Sequence, residues 1–409
     1  MVPPVKSHSQ SRAYGRCLLL SATILLTPFI AHAQDQPVPD PPPPDGTAGW
    51  QWQTDASAFF GFNHQDRRFR DFSVWESQNW LMGTGVRSVG KSRLRVFTMF
   101  SLEPFTLRDI GSPQVFQTGE TFGGGPLIDY QHPHDLVMAL GGEMRVPVRA
   151  AIVLLELDVV GSPSLGPQAF MHRPSAEGNP QAPLSHHHLD STHITPGVVR
   201  AGVEAHAWRI EGSWFQGREP DENRTDLDLG ALDSSAVRVS WARGAWSAQA
   251  SAGWLTTPEL VTPFDATRLT ASLSYANVGE RGGMAWMAAF GQNREIHGNL
   301  EAYLFEASWR VRPRHTVCTR VESVANDIQD VGFHPVGTFH RHRQSPVGAA
   351  TLGYVRDVVR SPVGAFGIGG DITGYVVPPN LKDSYGSPVS FHAFVRYRLR
   401  SASEAGHVH

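Results

Sequence analysis

The chain has 409 residues, of which 35 are Lys or Arg, 38 are Asp or Glu and 2 are Cys, and its formal net charge is −3. Nucleic-acid binding calls for a clustered basic surface, so this balance predicts no nucleic-acid partner. Cys17 lies near the amino terminus and Cys318 is the other cysteine, so a chain cut between them contains no internal disulfide.

The amino-terminal segment has the three parts of a secretory signal peptide. Basic residues precede the apolar run CLLLSATILLTPFI, and Ala31-His32-Ala33 supplies the small residues of a cleavage site. A membrane-spanning helix needs about 20 apolar residues, whereas this run is shorter and contains Pro28. We therefore predict a signal peptide over residues 1–33, cleavage after Ala33 and export of the mature chain.

The sequence after the cleavage site changes from a proline-rich segment to a series of strands. Residues 34–49 contain six prolines and predict an extended periplasmic tether. Beyond them, segments of about ten residues alternate apolar and polar side chains, which is the period of a strand with two different faces. Sixteen such segments are predicted, at about 50–62, 77–89, 91–104, 136–147, 149–161, 197–207, 209–217, 235–244, 246–256, 267–278, 282–293, 301–312, 314–325, 348–359, 363–376 and 387–399.

The lengths of the connections indicate how these strands are arranged. Tight links such as VGK, PVR and RPRH alternate with long connections such as 105–135, 162–196 and 326–347. Short turns on one side, long loops on the other, an even strand count and export are typical of a bacterial outer-membrane β-barrel. A soluble β-sandwich rarely needs so many strands, and a propeller would show a repeat that is not found.

We therefore predict an all-β protein, a closed antiparallel transmembrane β-barrel over residues 50–400, followed by a C-terminal tail at 401–409. Its turns are expected in the periplasm and its long loops outside the cell. Tryptophans are expected in two belts at the membrane interfaces: Trp208, Trp246 and Trp309 near the tight turns, and Trp75, Trp80 and Trp254 near the long loops.

The strand alternation also predicts which charged side chains face the lumen. In RAAIVLLELDVVG, Leu155 and Leu157 share the face expected to meet lipid, and Glu156 and Asp158 share the other. Both signs of charge are predicted at pore-lining positions, namely Glu143, Arg145, Glu156, Asp158, Glu204, Arg320, Glu322, Arg396 and Arg398. A barrel of this size is wide enough for an aqueous channel, unless its loops plug it.

Histidines are concentrated in the outer loops. The second loop contains DYQHPHDL, the third contains FMHRPSAEGNPQAPLSHHHLDSTH, and the seventh contains GFHPVGTFHRHR. Imidazole and carboxylate groups bind borderline metals, so Zn²⁺ or Cu²⁺ are the expected ions. The candidate ligands are His132, His134, Asp135, His172, His186, His187, His188, Asp190 and His193. The spacing matches no specific metal motif, and a polar lid over a pore mouth would use the same residue types.

A catalytic interpretation of DSTH is disfavoured. Asp190, Ser191 and His193 could form a hydrolase set, but triad partners usually converge from different directions and not from adjacent positions. We expect no enzymatic activity.

Two resemblances add to this interpretation. In strand count and in its long third loop, the chain over residues 50–399 is similar to sixteen-stranded general porins, which implies a third loop folded into the barrel. The phrases GGGPLIDYQHPHDL and FMHRPSAEGNP resemble those of uncharacterised outer-membrane proteins of Gram-negative bacteria, some associated with heavy-metal resistance. The likeness to barrels of this kind also implies a signal for the outer-membrane assembly machinery around Phe394, Tyr397 and Leu399.

These features predict a porin-like channel in the outer-membrane lipid for small polar solutes or transition-metal ions. The alternative is a non-conducting surface barrel whose loops plug the lumen and whose histidines bind metal.

Overall fold

The computed structural model describes residues 49–259, 264–279, 281–296, 298–326, 345–361 and 363–399. The predicted signal peptide, the tether up to residue 48, the tail and the histidines of the seventh loop lie outside these described residues. Cleavage after Ala33 and the tether therefore stay predictions. Within the described ranges, no helix is both long enough and apolar enough to span a bilayer.

Strands make up most of the described chain. In chain order they are β1 (Gln51–Arg67), β2 (Arg70–Glu76), β3 (Asn79–Val89), β4 (Ser92–Phe100), β5 (Ser112–Phe122), β6 (Gly125–Gln131), β7 (Val137–Val148), β8 (Ala151–Gly161), β9 (Thr195–Ala205), β10 (Trp208–Phe215), β11 (Ser234–Arg243), β12 (Trp246–Leu255), β13 (Ala266–Gly279), β14 (Gly282–Glu295), β15 (Gly298–Arg312), β16 (His315–Asn326), β17 (Ser345–Arg360), β18 (Gly364–Val376) and β19 (Val389–Leu399). Short helices are α1 (Glu103–Thr106), α2 (His186–Leu189) and α3 (Lys382–Tyr385).

The strands close into one antiparallel barrel, because successive strands pair and β1 also pairs with β19. β2 and β3 together count as one barrel strand, since β2 pairs with Gly61–Arg67 of β1 and β3 pairs with Gln51–Ala58. β5 and β6 form a separate hairpin. The predicted sixteen-stranded antiparallel barrel is thus confirmed.

The two faces of β8 differ as the alternation predicted. Leu155 and Leu157 are 50% and 58% exposed on the outside, whereas Glu156 and Asp158 are buried on the inside. Trp80 is a correction to the predicted tryptophan belts: it packs inward, with its ring 4.7 Å from that of His172, while its neighbour Leu81 is exposed. An aromatic residue near a loop can lie either on the outer face at the membrane interface or on the inner face of the barrel. The register of β3 places Trp80 on the inner face.

The first two predicted strands were too short. β1 continues to Arg67 and pairs with β2 over a segment that was predicted to be loop. The sequence HQDRRFRD in this hairpin is rich in charge, which hides the apolar alternation on which the prediction rested. Here the strands are defined by backbone pairing, which does not depend on an apolar face.

Loop 3, defined as residues 162–194, lies inside the barrel. Arg173 contacts Glu306 on β15, and Ser185 donates a hydrogen bond to Glu322 on β16. Gly178 lies so close to β16 that a Cβ on it would be 2.8 Å from the Sγ of Cys318. The inward fold implied by the resemblance to general porins is therefore present.

Loop 2, defined as residues 101–136, covers loop 3 from one side. The side chain of Gln114 on β5 donates to the backbone carbonyl of Ala182 in loop 3 at 2.8 Å. Phe116 is fully buried and stacks on Tyr385 of α3, with ring centroids 4.4 Å apart. An apolar core thus joins loop 2, loop 3 and α3 to the walls of β15, β16 and β17.

Candidate functional site

One part of the inner wall carries alternating arginine and glutamate side chains, which we call the charged ladder. Its members lie on β4 and on β7 to β11, and they are Arg95, Glu143, Arg145, Glu156, Arg200, Glu204, Arg209, Glu211 and Arg238. Arg95 lies 3.2 Å from Glu156, Arg209 lies 2.8 Å from Glu204, and Arg238 lies 2.9 Å from Glu211. Each of these strands carries inward-facing charged side chains, and strand pairing brings the side chains of neighbouring strands next to each other. The pairing therefore forms the ladder.

A cavity of about 190 Å³ separates the charged ladder from loop 3. The ladder contributes Arg95, Glu156, Arg200, Arg209 and Arg238 to its lining, and loop 3 contributes Asp190, His172 and His193. The lining also includes Met82, Met99 and Met138. The lining itself has four guanidinium groups and two carboxylates, and the charged ladder as a whole has five arginines and four glutamates, which is an excess of one positive charge.

The opposite part of the wall is covered by loop 3. Glu177 of loop 3 lies 2.7 Å from Arg398, 3.4 Å from Arg310 and 3.6 Å from Arg396. Burial alone would raise the pKa of the Glu177 carboxyl, but these three arginines hold that pKa far below its usual range. Arg320 donates to the backbone carbonyl of Gln181 at 2.9 Å.

The predicted pore-lining residues all lie on the inner face, but they have two different surroundings. Glu143, Arg145, Glu156, Asp158 and Glu204 lie on or beside the charged ladder. The other four contact loop 3, and they are Arg320, Glu322, Arg396 and Arg398. Sequence alternation identified the face correctly, but it could not show that a loop occupies half of it.

Five of the seven predicted histidines of loops 2 and 3 meet in one continuous cluster. Its ring centroids are 6.0 Å apart for His132 and His187, 5.2 Å for His187 and His186, 5.1 Å for His186 and His193, and 5.4 Å for His193 and His134. The segments DYQHPHDL and SHHHLDSTH therefore meet in the structure.

Several members of this cluster have hydrogen-bond partners of their own. His134 Nδ1 lies 2.8 Å from Glu103, and His186 Nδ1 lies 2.9 Å from Asp190. Burial opposes the charged form of His134, yet Glu103 raises its pKa overall. Burial likewise opposes ionisation of Asp190, but Arg173 and His186 hold its pKa far below the usual range.

The remaining predicted ligands lie apart from one another. His172 packs on Trp80 beside the cavity, and His188 is buried against the wall, where its backbone closely approaches Gly291. Asp135 lies 3.4 Å from Arg224, and burial raises its pKa to about 7 in spite of that arginine. The nine predicted ligands therefore do not converge on one point.

Two groups within the described residues have ligand atoms close enough together to hold a metal ion. Asp221, Asp226 and Asp228 of loop 4, defined as residues 216–233, are largely exposed, whereas Glu120, His132 and His187 are largely buried. Ligand atoms of Glu120, His132 and His187 all lie within 4.8 Å of one another. Burial, with Arg224 and His187 nearby, lowers the pKa of His132 well below its usual value, and burial raises the pKa of Glu120. Glu219 of loop 4 lies 3.8 Å from His187.

Sequence reasoning missed Glu120, Glu219 and Arg224 because none of them is adjacent to a histidine in the chain. The only available signal was that TGETFGGG and GREPDENR place charged residues in outer loops. Ser191, which the disfavoured hydrolase set included, accepts a hydrogen bond from Arg268 at 2.8 Å.

The fold resembles that of solved bacterial porins. OprB of Pseudomonas putida matches with a TM-score of 0.53 at 10% identity, covering 86% of this chain and 94% of that chain. An anion-selective porin from Comamonas acidovorans matches with a TM-score of 0.49 at 12% identity, covering 86% of this chain and 99% of that chain. No family model and no curated protein matches the sequence. The likeness shows a shared barrel fold.

Proposed function

We propose that this protein is an outer-membrane channel through which small polar solutes pass between loop 3 and the charged ladder. The observation that carries the proposal is the polar cavity between them, in a barrel whose opposite wall is covered. The apolar outer faces of strands such as β8 support contact with membrane lipid. The fold shared with porins is consistent with the same location.

The charge of the lining favours small anions and neutral polar solutes over metal cations. Four arginines face the cavity, and a cation passing them would be repelled at short range. We therefore assign the histidine cluster to metal binding in the loops and not to metal passage through the lumen. We also propose that the assembly machinery recognises the last strand. Of the aromatic residues expected in this signal, Tyr397 is exposed on the outside of the barrel, whereas Phe394 packs inward on Phe59.

Planar-bilayer recording of the mature chain, refolded from Gln34 without a tag, tests the channel. We expect discrete conductance steps with a weak preference for anions. A refolded barrel that gives no steps at any voltage would overturn the proposal and favour the alternative, a non-conducting barrel with a plugged lumen.

A matched pair of variants tests the route. Ala139 on β7 lines the cavity, whereas the adjacent Leu140 is exposed on the outside. Ala139→Trp should reduce the conductance because the indole fills part of the cavity, and Leu140→Trp should leave it unchanged. Equal conductance in the two variants would show that solutes take another path.

A further inference from the structure

The group of Glu120, His132 and His187 is assembled from two loops and lies next to a third. Glu120 is on β5 and His132 follows β6, both in loop 2, whereas His187 is on α2 in loop 3. Their ligand atoms lie within 4.8 Å of one another, and the side chain of His187 is only 7% exposed. Glu219 of loop 4 completes the surroundings.

The hydrogen bonding of His132 directs the lone pair of its Nε2 atom at the carboxylate of Glu120. Its Nδ1 lies 2.9 Å from the backbone oxygen of Pro133, which can only accept, so Nδ1 carries the proton. In the neutral ring, Nε2 is then an acceptor, and it is in direct contact with Oε1 of Glu120. Two acceptors in contact need a cation between them, either a proton or a metal ion. A metal-binding histidine commonly donates its other N–H to a carbonyl in this way.

A second observation points to a ligand from the side of His187. Its Nδ1 is buried and has no hydrogen-bond partner among the described residues, and the same is true of Oε2 of Glu219. The two atoms are 3.8 Å apart, which exceeds hydrogen-bond distance. Buried polar atoms without partners are costly, so a pair of them facing each other indicates either a proton on His187 or a metal ion held by both side chains.

Gly119 shapes this site. A Cβ on Gly119 would lie 2.5 Å from Cγ of His187, and the residue has a φ of +125°, which side chains rarely adopt. The imidazole of His187 therefore packs directly on the backbone beside Glu120. Arg224 lies 2.6 Å from Oε2 of Glu120, which leaves the other carboxylate oxygen for an ion.

We propose that Glu120, His132 and His187, with Glu219 as a fourth ligand, bind one borderline divalent metal ion of the Zn²⁺ type. Two imidazoles and two carboxylates suit the tetrahedral coordination that zinc prefers in proteins. The bound ion would join loops 2, 3 and 4 over the barrel. The proposal goes beyond the channel function, since none of the four ligands lines the cavity.

Calorimetric titration of Zn²⁺ into the refolded, untagged mature chain tests the site. We expect one ion per chain, and at least a tenfold loss of affinity in His132→Gln and in His187→Gln. The matched control is His188→Gln, which changes the adjacent histidine of α2 and should keep the wild-type affinity. Unchanged affinity in the first two variants, or an equal loss in the control, would overturn the proposal.

Two further measurements separate loss of the site from loss of folding. Gly119→Ala keeps every ligand but pushes the ring of His187 away, so it should also weaken Zn²⁺ binding. Electron paramagnetic resonance of bound Cu²⁺ should show two coordinated imidazole nitrogens in the wild type and one in His132→Gln; two in both would overturn the ligand set. Each variant should retain wild-type conductance steps, so failure of the metal site and failure of the channel are distinguishable.

Discussion

Arg173 and Glu306 form a fully buried ion pair that fixes loop 3 to the inner face of β15. Nε of Arg173 lies 2.8 Å from Oε1 of Glu306, and both side chains are 1% exposed. Nη1 of Arg173 lies 3.1 Å from Asp190, so the same guanidinium also links the first half of loop 3 to its second half. This contact is one of several that hold loop 3 against the wall, with those of Glu177 and Ser185.

Glu306→Gln should therefore loosen loop 3. The substitution removes the charge that Arg173 faces and weakens the contact with Arg320, whose Nε lies 3.5 Å away. Removing one partner of a buried ion pair typically costs about 3 to 5 kcal/mol, so we expect a lower free energy of unfolding and a noisier open-channel current. Urea unfolding in lipid vesicles and bilayer recording measure the two effects.

Glu301→Gln is the control for this change, because Glu301 lies on the same strand but hydrogen-bonds to Gln292 and Tyr303. It should alter stability and current noise much less. If both variants behaved alike, the pair between Arg173 and Glu306 would have no special part in holding loop 3.

Gly178→Cys should form a disulfide with Cys318 on oxidation. A Cβ on Gly178 would lie 3.2 Å from Cβ and 2.8 Å from Sγ of Cys318, close to disulfide geometry. Mass spectrometry of the oxidised mature chain should find peptides of loop 3 linked to β16, and the linked channel should keep its conductance. Failure to cross-link would contradict the position of loop 3 inside the barrel.

The fold could be predicted from sequence because its determinants are local. In a strand such as β8, the alternation of apolar and polar residues identifies the outer and inner faces, as Leu155 and Glu156 show. The alternation of short and long connections then predicts that the strands close into a barrel. The prediction missed β2 because the charged segment HQDRRFRD leads into it; Phe72 and Val74 of β2 are buried on one face, and backbone pairing with β1 defines the strand.

The site was predicted less completely because its contacts join distant parts of the chain. Histidine content identified His132 and His187, which do approach each other. Glu120 and Glu219 could not be found in this way, since only the packing of three loops brings them beside those histidines. The alternation of residues along β16 likewise cannot show that Glu322 contacts Ser185 of loop 3 instead of water in the lumen.

Adjacent positions on β8 should respond very differently to a polar substitution. Leu155→Arg should cost about 2 to 4 kcal/mol if the position lies near the bilayer midplane, because the side chain faces lipid. Glu156→Gln should fold, but it weakens the contacts with Arg95 and Arg200 and should change ion selectivity. Unfolding titrations in vesicles measure the first effect and reversal potentials the second; equal tolerance of both changes would show that the register is wrong.

His172 should stay neutral well below neutral pH. Burial, together with the positive charges of His134 and Arg398, lowers its pKa from 6.5 to about 4. The unfolded chain then binds a proton that the folded chain does not, so stability should be complete above about pH 6.5 and fall as the pH drops towards 4. His172→Gln should reduce this dependence. Nuclear magnetic resonance titration of the His172 ring checks the cause, and a midpoint near 6.5 would contradict it.

In the channel proposed above, Arg238→Gln should reduce the preference for anions. Arg238 lines the cavity, where it lies 2.9 Å from Glu211 and donates to the backbone oxygen of Gly166 in loop 3 at 3.0 Å. Its loss leaves three guanidinium groups in the lining against the same carboxylates. Two unit charges 4 Å apart in water interact by about 1 kcal/mol, which bounds the change in the permeability of each ion at roughly fivefold, with opposite sign for anions and cations.

Reversal potentials across a KCl gradient measure the anion-to-cation permeability ratio, and salt supplies a second check on the cause. The effect should be larger at 0.1 M than at 1 M, because the screening length falls from about 10 Å to about 3 Å. Arg243→Gln is the matched control, since Arg243 ends the same strand and is exposed on its other face. An equal shift in both variants, or a shift that does not depend on salt, would argue that ions do not pass along the charged ladder.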